Sequence, residues 1–170
     1  MKITRTIVFL TLLSIVLSSC GRSPSGFTNS VTYYYRTVEV KYGVPDGVVA
    51  AEVRDIDASS NDYEKLISTY LNGPREHNHI SPYPAGIYLV QLTMGADRVY
   101  ITLSSHLSML TGSDLMIACA CLTRTVLGIT GVRSIEISAE KGLLNGQQYL
   151  IFTMSDFTYL DSYSGSSASD

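Results

Sequence analysis

Residues 98–139, RVYITLSSHLSMLTGSDLMIACACLTRTVLGITGVRSIEISA, decide the fold. Val99, Ile101 and Leu103 alternate with Arg98, Tyr100 and Thr102, the period of two expected of a strand with one face on a core. From Ser113 the period lengthens. Leu115, Ala118, Cys119, Leu122, Val126 and Ile129 share one helical face, Asp114 sits in the first turn where the helix dipole favours an acid, and Gly128 or Gly131 ends the run. Ile135, Ile137 and Ala139 then alternate with Ser134, Glu136 and Ser138, which returns the chain to a strand.

Upstream, VTYYYRTVEV (31–40) is β-branched and aromatic, and the Pro45-Asp46-Gly47 turn leads into a second strand, GVVAAEVRDI. Tyr63, Leu66, Ile67, Tyr70 and Leu71 recur at helical spacing, with Asn61 as the expected N-cap, Glu64 three residues on, and Gly73-Pro74 as the stop. Tyr88, Val90, Leu92 and Met94 alternate before Gly95-Ala96-Asp97, so this run and residues 98–103 form a hairpin. QQYLIFTM supplies a last strand. The order is β-β-α-β-β-α-β-β, and the expected fold class is α+β: a two-layer sandwich in which one small mixed sheet carries both helices on one face.

The 170 residues allow one domain of ordinary size. With 45% hydrophobic and 16% charged residues the chain is globular rather than a charged disordered polymer. Twelve Lys and Arg are scattered against fifteen Asp and Glu, so nothing supplies the clustered positive charge that nucleic acid requires.

The N-terminus carries Lys2 and Arg5, an apolar run from Ile7 to Leu17, then Leu17-Ser18-Ser19-Cys20. Basic, apolar and small-residue segments in this order make an export signal, and the apolar run is too short to span a bilayer at about 1.5 Å per helical residue. The last four residues resemble the lipobox of bacterial lipoproteins, which makes Cys20 the expected lipid attachment site after removal of residues 1–19. That removal takes Lys2 and Arg5 and no acid, moving the formal charge from −3 to −5. The acyl chains would hold the protein at the outer side of the cell membrane. Residues 20–30 read as a lipidated flexible tether, 31–158 as the folded domain, and 159–170 as a disordered polar tail.

Few residues point to chemistry. Cys119 and Cys121 are two apart on a helix, so their thiols diverge by about 200° and serve better as small buried hydrophobes than as a metal or disulfide pair. His77 and His79 lie beside Glu76 and offer two metal ligands, but only His106 remains as a third histidine, and the stretch reads as a solvated loop. The acidic run from Asp55 to Glu64 fails as a calcium loop, because Ser60 stands where Gly is needed and Leu66 where a bidentate Glu is needed. No Gly-x-Ser-x-Gly, phosphate-binding loop or dinucleotide turn occurs. No catalytic residue, metal or cofactor is expected.

The YYYR segment, the helix closing in Tyr70-Leu71-Asn72-Gly73-Pro74, the Tyr83-Pro84-Ala85-Gly86 strand entry, VYITLSSHLSMLTGSD, and LTRTVLGITGVRSIEISAEKG come in a characteristic order. This order resembles the GerM domain of bacterial sporulation and germination lipoproteins over residues 31–153. Arg124, the Ala139-Glu140-Lys141-Gly142 stretch and the single domain copy depart from the usual pattern. The resemblance implies a compact α/β module that packs against copies of itself or related proteins at a membrane, similar to ring-building modules of spore formers, and it implies no catalytic residue.

Two roles follow as expectations. The first is a non-catalytic protein-interaction domain on an extracytoplasmic lipoprotein, with self-association or protein partners. The alternative is a module for a small ligand or an envelope polymer, for which twelve Tyr offer stacking surfaces. If both helices cover one sheet face, alternation leaves Arg98, Tyr100, Thr102, Ser134, Glu136 and Ser138 on the other, and Arg98, Tyr100, Thr102 and Glu136 are the expected partner-binding residues.

Overall fold

A computed structural model describes residues 29–56 and 62–160. The signal segment, Cys20, Asn61 and residues 161–170 lie outside the described residues. The chain is α+β, and its strands fall into two sheets rather than one. The first sheet contains β1 (Asn29–Thr37), β2 (Val49–Ile56) and β3 (His79–Ile80) in the order β2-β1-β3. The second contains β4 (Leu89–Met94), β5 (Arg98–Leu103), β6 (Ser134–Ala139) and β7 (Tyr149–Phe152) in sequence order. Within it, β5 and β6 run parallel and the other pairs antiparallel. There are two α-helices among the described residues, α1 (Tyr63–Leu71) and α2 (Gly112–Thr130), and two 3-10 turns, Ser105–Met109 before α2 and Met154–Leu160 after β7.

The division into two sheets has a local cause. β1 pairs with β3 only through Arg36 and Thr37. Further back along that edge the N–H of Tyr34 donates to Thr125 Oγ1 of α2 at 2.9 Å, so a helix occupies the place of another strand. α2 packs on β1 and on β6 and is buried from Leu115 to Leu127, apart from half-buried Met116. The apolar face expected for this helix, Leu115 to Ile129, is therefore only part of its buried surface. A helix covered all round belongs to a core and not to an outer layer. Its C-terminus is Gly131, in the left-handed conformation (φ 71°), with its N–H on Leu127 O at 2.9 Å.

α1 buries Leu66, Ile67, Tyr70 and Leu71 as its spacing predicts. The cap is Asp62, whose side chain accepts from Lys65 N at 3.2 Å, rather than the expected Asn61. In β4 the alternation expected of Tyr88, Val90, Leu92 and Met94 breaks. A bulge between Leu89 and Gln91 sets Leu89 opposite Leu103 and Leu92 opposite Ile101, leaving Tyr88 and Val90 exposed. At the other end the chain continues in the last 3-10 turn to Leu160, which is buried beside Phe157.

Four tyrosines bind these parts together. Tyr33 OH donates to Leu66 O at 3.1 Å, and Tyr35 OH divides its proton between Tyr70 O at 2.9 Å and Gly73 O at 3.1 Å. Tyr70 OH reaches Tyr34 O at 3.0 Å, Tyr83 OH reaches Ala118 O at 3.0 Å, and the two hydroxyls stand 3.1 Å apart, so two protons serve three contacts. Burial pushes the Tyr70 and Tyr83 phenols well above their ordinary pKa and keeps them neutral. These four rings are core, not stacking surface, whereas Tyr42, Tyr88, Tyr100, Tyr149 and Tyr159 are exposed.

Candidate functional site

Two groups of polar residues stand out, one on the surface and one inside. The surface group is the outer face of the second sheet. β5 and β6 run in register, with Arg98 beside Ser134, Tyr100 beside Glu136 and Thr102 beside Ser138. Val99, Ile101, Leu103, Ile135 and Ile137 point inward and are buried. Arg98 Nη1 pairs with Glu136 Oε2 at 3.3 Å, Arg98 Nε donates to Ser134 Oγ at 3.2 Å, and the Thr102 and Ser138 hydroxyls meet at 3.0 Å. The four residues expected to bind a partner thus share one face.

Register adds two residues that alternation within residues 98–139 missed. Ile151 of β7 lies opposite Glu136, and Tyr149 lies opposite Ser138. Tyr100 is 42% exposed, Tyr149 50% and Ile151 42%, so three large exposed side chains share the strands that carry the ion pair, two of them at register positions beside Glu136. Only knowing that β7 pairs with β6 reveals them. The ion pair is half-exposed and screened, worth about 0–1 kcal/mol, and its use is in orienting Arg98.

The internal group gathers on the face of the first sheet that packs against α1. Glu52 lies opposite Tyr33 and Arg54 opposite Val31, and both charged residues are buried. Glu52 Oε1 accepts from Arg54 Nε at 2.5 Å, its Oε2 accepts from the Glu76 N–H at 3.1 Å, and the Arg75 N–H reaches both oxygens. His79 Nδ1 stands 3.4 Å from Oε2. Arg54 Nη2 donates to Gly73 O at 2.9 Å and to Tyr35 OH at 3.1 Å, and its guanidinium lies 4.9 Å from the centre of the Tyr33 ring. Burial works to raise the Glu52 pKa, but hydrogen bonds from Glu76 N–H, Arg54, Arg75 N–H and His79 outweigh it and hold the carboxyl below its usual range.

This cluster corrects the reading of the histidines. His79 is buried in β3 and is not solvated, and it meets Glu52 rather than His77, which stays on the surface. His106 is elsewhere, with Nδ1 at 3.2 Å from Ser104 Oγ. Glu52, Glu76 and His79 offer ligand atoms within 4.8 Å of one another. The Glu52 oxygens are already engaged by two backbone N–H groups and a guanidinium, whose charge opposes a cation there. The arrangement is an internal ion-pair network that fastens segment 73–80 to the sheet. Nothing in the sequence around Glu52 and Arg54 announces it, since two charges in an alternating strand read as solvent-facing.

Cys119 and Cys121 are free, buried thiols; burial pushes Cys119 up to about 12 and Cys121 higher still, which keeps both in the neutral thiol form at ordinary pH.

The Germane family, described as sporulation and spore germination, matches residues 31–142. The chain belongs to the Germane family. The tandem GerMN domains of the sporulation protein GerM from Bacillus subtilis share the fold, with a TM-score of 0.55 at 15% identity over 86% of this chain. This chain covers 51% of that tandem protein, about half its length. The first GerMN domain of the same protein aligns with 65% of this chain and 83% of its own at 13% identity and a TM-score of 0.49. A search of curated proteins returned no match. For this Germane chain, both sheets except β7 and the first two residues of β1, together with both helices, lie inside the matched residues.

Proposed function

We propose that this Germane chain is a lipid-anchored, extracytoplasmic membrane protein whose domain binds protein without catalysis, in an envelope assembly of sporulation or germination. The observation that carries the reading is the second sheet's surface, where the Arg98–Glu136 pair lies in register with exposed Tyr100 and Ile151, and Tyr149 is exposed two positions along. Aromatic and Arg side chains around a small polar centre are the composition of an interaction hot spot. The internal charges favour a structural role, because Glu52 and Arg54 are consumed in fastening the first sheet.

The test is the double change Arg98→Glu and Tyr100→Ala. It is expected to weaken self-association or partner capture at least tenfold while moving the melting temperature by no more than a few degrees, since both side chains lie outside the core. Cross-linking and sedimentation of the mature protein measure the first effect, and circular dichroism the second. The same associated species before and after the change would reject this face.

The anchor is tested separately. Cys20→Ala is expected to abolish incorporation of labelled fatty acid, because Cys119 and Cys121 are buried and cannot substitute. Equal labelling of wild type and variant would refute lipidation at Cys20.

A further inference from the structure

The second sheet ends in two unlike edges. At one, β4 carries the bulge between Leu89 and Gln91 and packs beside α1, and both features discourage further strand pairing. At the other, β7 pairs with β6 from Ile135–Phe152 to Ser138–Tyr149 with no register shift, and among the described residues no strand lies beyond it. Outside that ladder, residues 149–152 make no backbone hydrogen bond among the described residues. Alternate residues of an antiparallel strand direct their N–H and C=O away from the neighbour, so β7 offers unpaired donors and acceptors along its outer edge. Neither charge nor proline blunts that edge, because residues 142–155 contain no Asp, Glu, Lys, Arg, His or Pro. β7 also lies beyond residues 31–142, which match the family.

The occupant follows from the strand's own pattern. Tyr149 and Ile151 are exposed on the outer face, whereas Phe152 is buried and Leu150 half-buried on the core side. Two copies paired antiparallel about a two-fold axis keep their outer faces on one side, so each residue meets one of its own parity. Centred on Leu150, the pairing sets Tyr149 against the partner's Ile151 twice on the outer face, with Leu150 against the partner's Leu150 beneath. Aromatic with β-branched is a favourable cross-strand pair. A strand that complements itself and carries no charge meets no repulsion from its copy. Exposed Leu143 and Met154 add apolar surface near its two ends. We propose that β7 is the pairing edge for a second copy of this chain, which joins two four-stranded sheets into one of eight strands. This rests on the reading of the domain as a protein-binding module and names one partner for it.

The test uses the full mature chain with Cys20→Ser, whose remaining cysteines, Cys119 and Cys121, are buried. Opposite residues of an antiparallel pair hold their Cα atoms about 4.5–5.5 Å apart, within disulfide reach. Leu150→Cys is therefore expected to give a covalent dimer under mild oxidation at least tenfold faster than Val53→Cys or Met94→Cys, at exposed sites on β2 and β4. Tyr149→Lys with Ile151→Lys sets like charges opposite each other, and so does Tyr149→Glu with Ile151→Glu. Sedimentation should show dimerisation weakened at least tenfold in each variant alone and restored in their mixture, with circular dichroism unchanged because both sites are exposed. Cross-linking at position 150 no faster than at the control sites, or a mixture that does not recover, overturns the proposal. So does cross-linking that appears only when residues 161–170 are removed, since the chain's own C-terminus then holds the edge. Arg98→Glu with Tyr100→Ala acts mainly on β5, two strands from the edge, and should leave cross-linking at position 150 unchanged whether or not it alters capture of another protein. Failure of the edge and failure of the face are thereby told apart.

Discussion

Replacing Glu52 with Ala is expected to remove about 3–5 kcal/mol of stability, a large share of the 5–15 kcal/mol typical of a domain. The loss comes from what remains. Arg54 keeps its buried guanidinium without a counter-charge, and the N–H groups of Arg75 and Glu76 lose their acceptor. A second change, Arg54→Met, is expected to recover much of the loss, because a buried pair replaced by apolar groups costs far less than a pair broken on one side. Urea unfolding of the single and double variants measures both, and equal midpoints for wild type and Glu52→Ala would show that the network contributes nothing. The same carboxyl carries a pH signature. Its pKa is lowered in the folded state, so its contribution is complete above the unfolded carboxyl value of about 4.3 and fades as pH falls through the lower folded value. The stability difference between wild type and Glu52→Gln should therefore shrink in acid.

Ile67→Asp is the second large effect. Ile67 is wholly buried on α1 in the tyrosine-rich core, and loss of its packing alone costs about 2–5 kcal/mol. An unpaired carboxylate at that depth adds several kcal/mol more, so the sum rivals the whole stability of the domain. The expected outcome is a protein with no cooperative melting transition at neutral pH. Ile67→Leu, which keeps the volume, should cost under about 1.5 kcal/mol and serves as the control. A cooperative transition in the Asp variant at the wild-type temperature would place Ile67 outside the core.

The elements were legible in the sequence where one period dominates. Helix α1 carries a single apolar stripe with Gly73-Pro74 behind it, and β5 and β6 alternate strictly, so their inward and outward faces follow from spacing alone. Sheet membership was not legible. It depends on Thr125 of α2 occupying the edge of β1, a contact between residues 91 apart that no local pattern records. α2 misled for a related reason: a helix apolar enough to be buried all round also shows a stripe, and the stripe conceals Thr123, Arg124 and Thr125, which are buried too. Of the two polar groups, the outer face was half-visible through Arg98, Tyr100, Thr102 and Glu136. Tyr149 and Ile151 needed the β6–β7 register, and His79 needed the fold to bring it to Glu52 from 27 residues away.

The place of β1 in its sheet sets how the domain bears load. It is the central strand of three, it enters at Asn29, and it faces β2 antiparallel from Asn29–Ile56 to Arg36–Val49. A pull on the chain before Asn29 runs along the strand, so it shears the whole β1–β2 ladder at once instead of peeling it one pair at a time. The Tyr34–Thr125 bond and the phenol bonds of Tyr33 and Tyr35 cross that line of force and must give way in the same event. Resistance to traction from the N-terminus is then a matter of the unfolding rate, and substitutions in β1 or in the α2 residues beside it should shorten the lifetime under tension more than equally destabilising changes in β4 or β7.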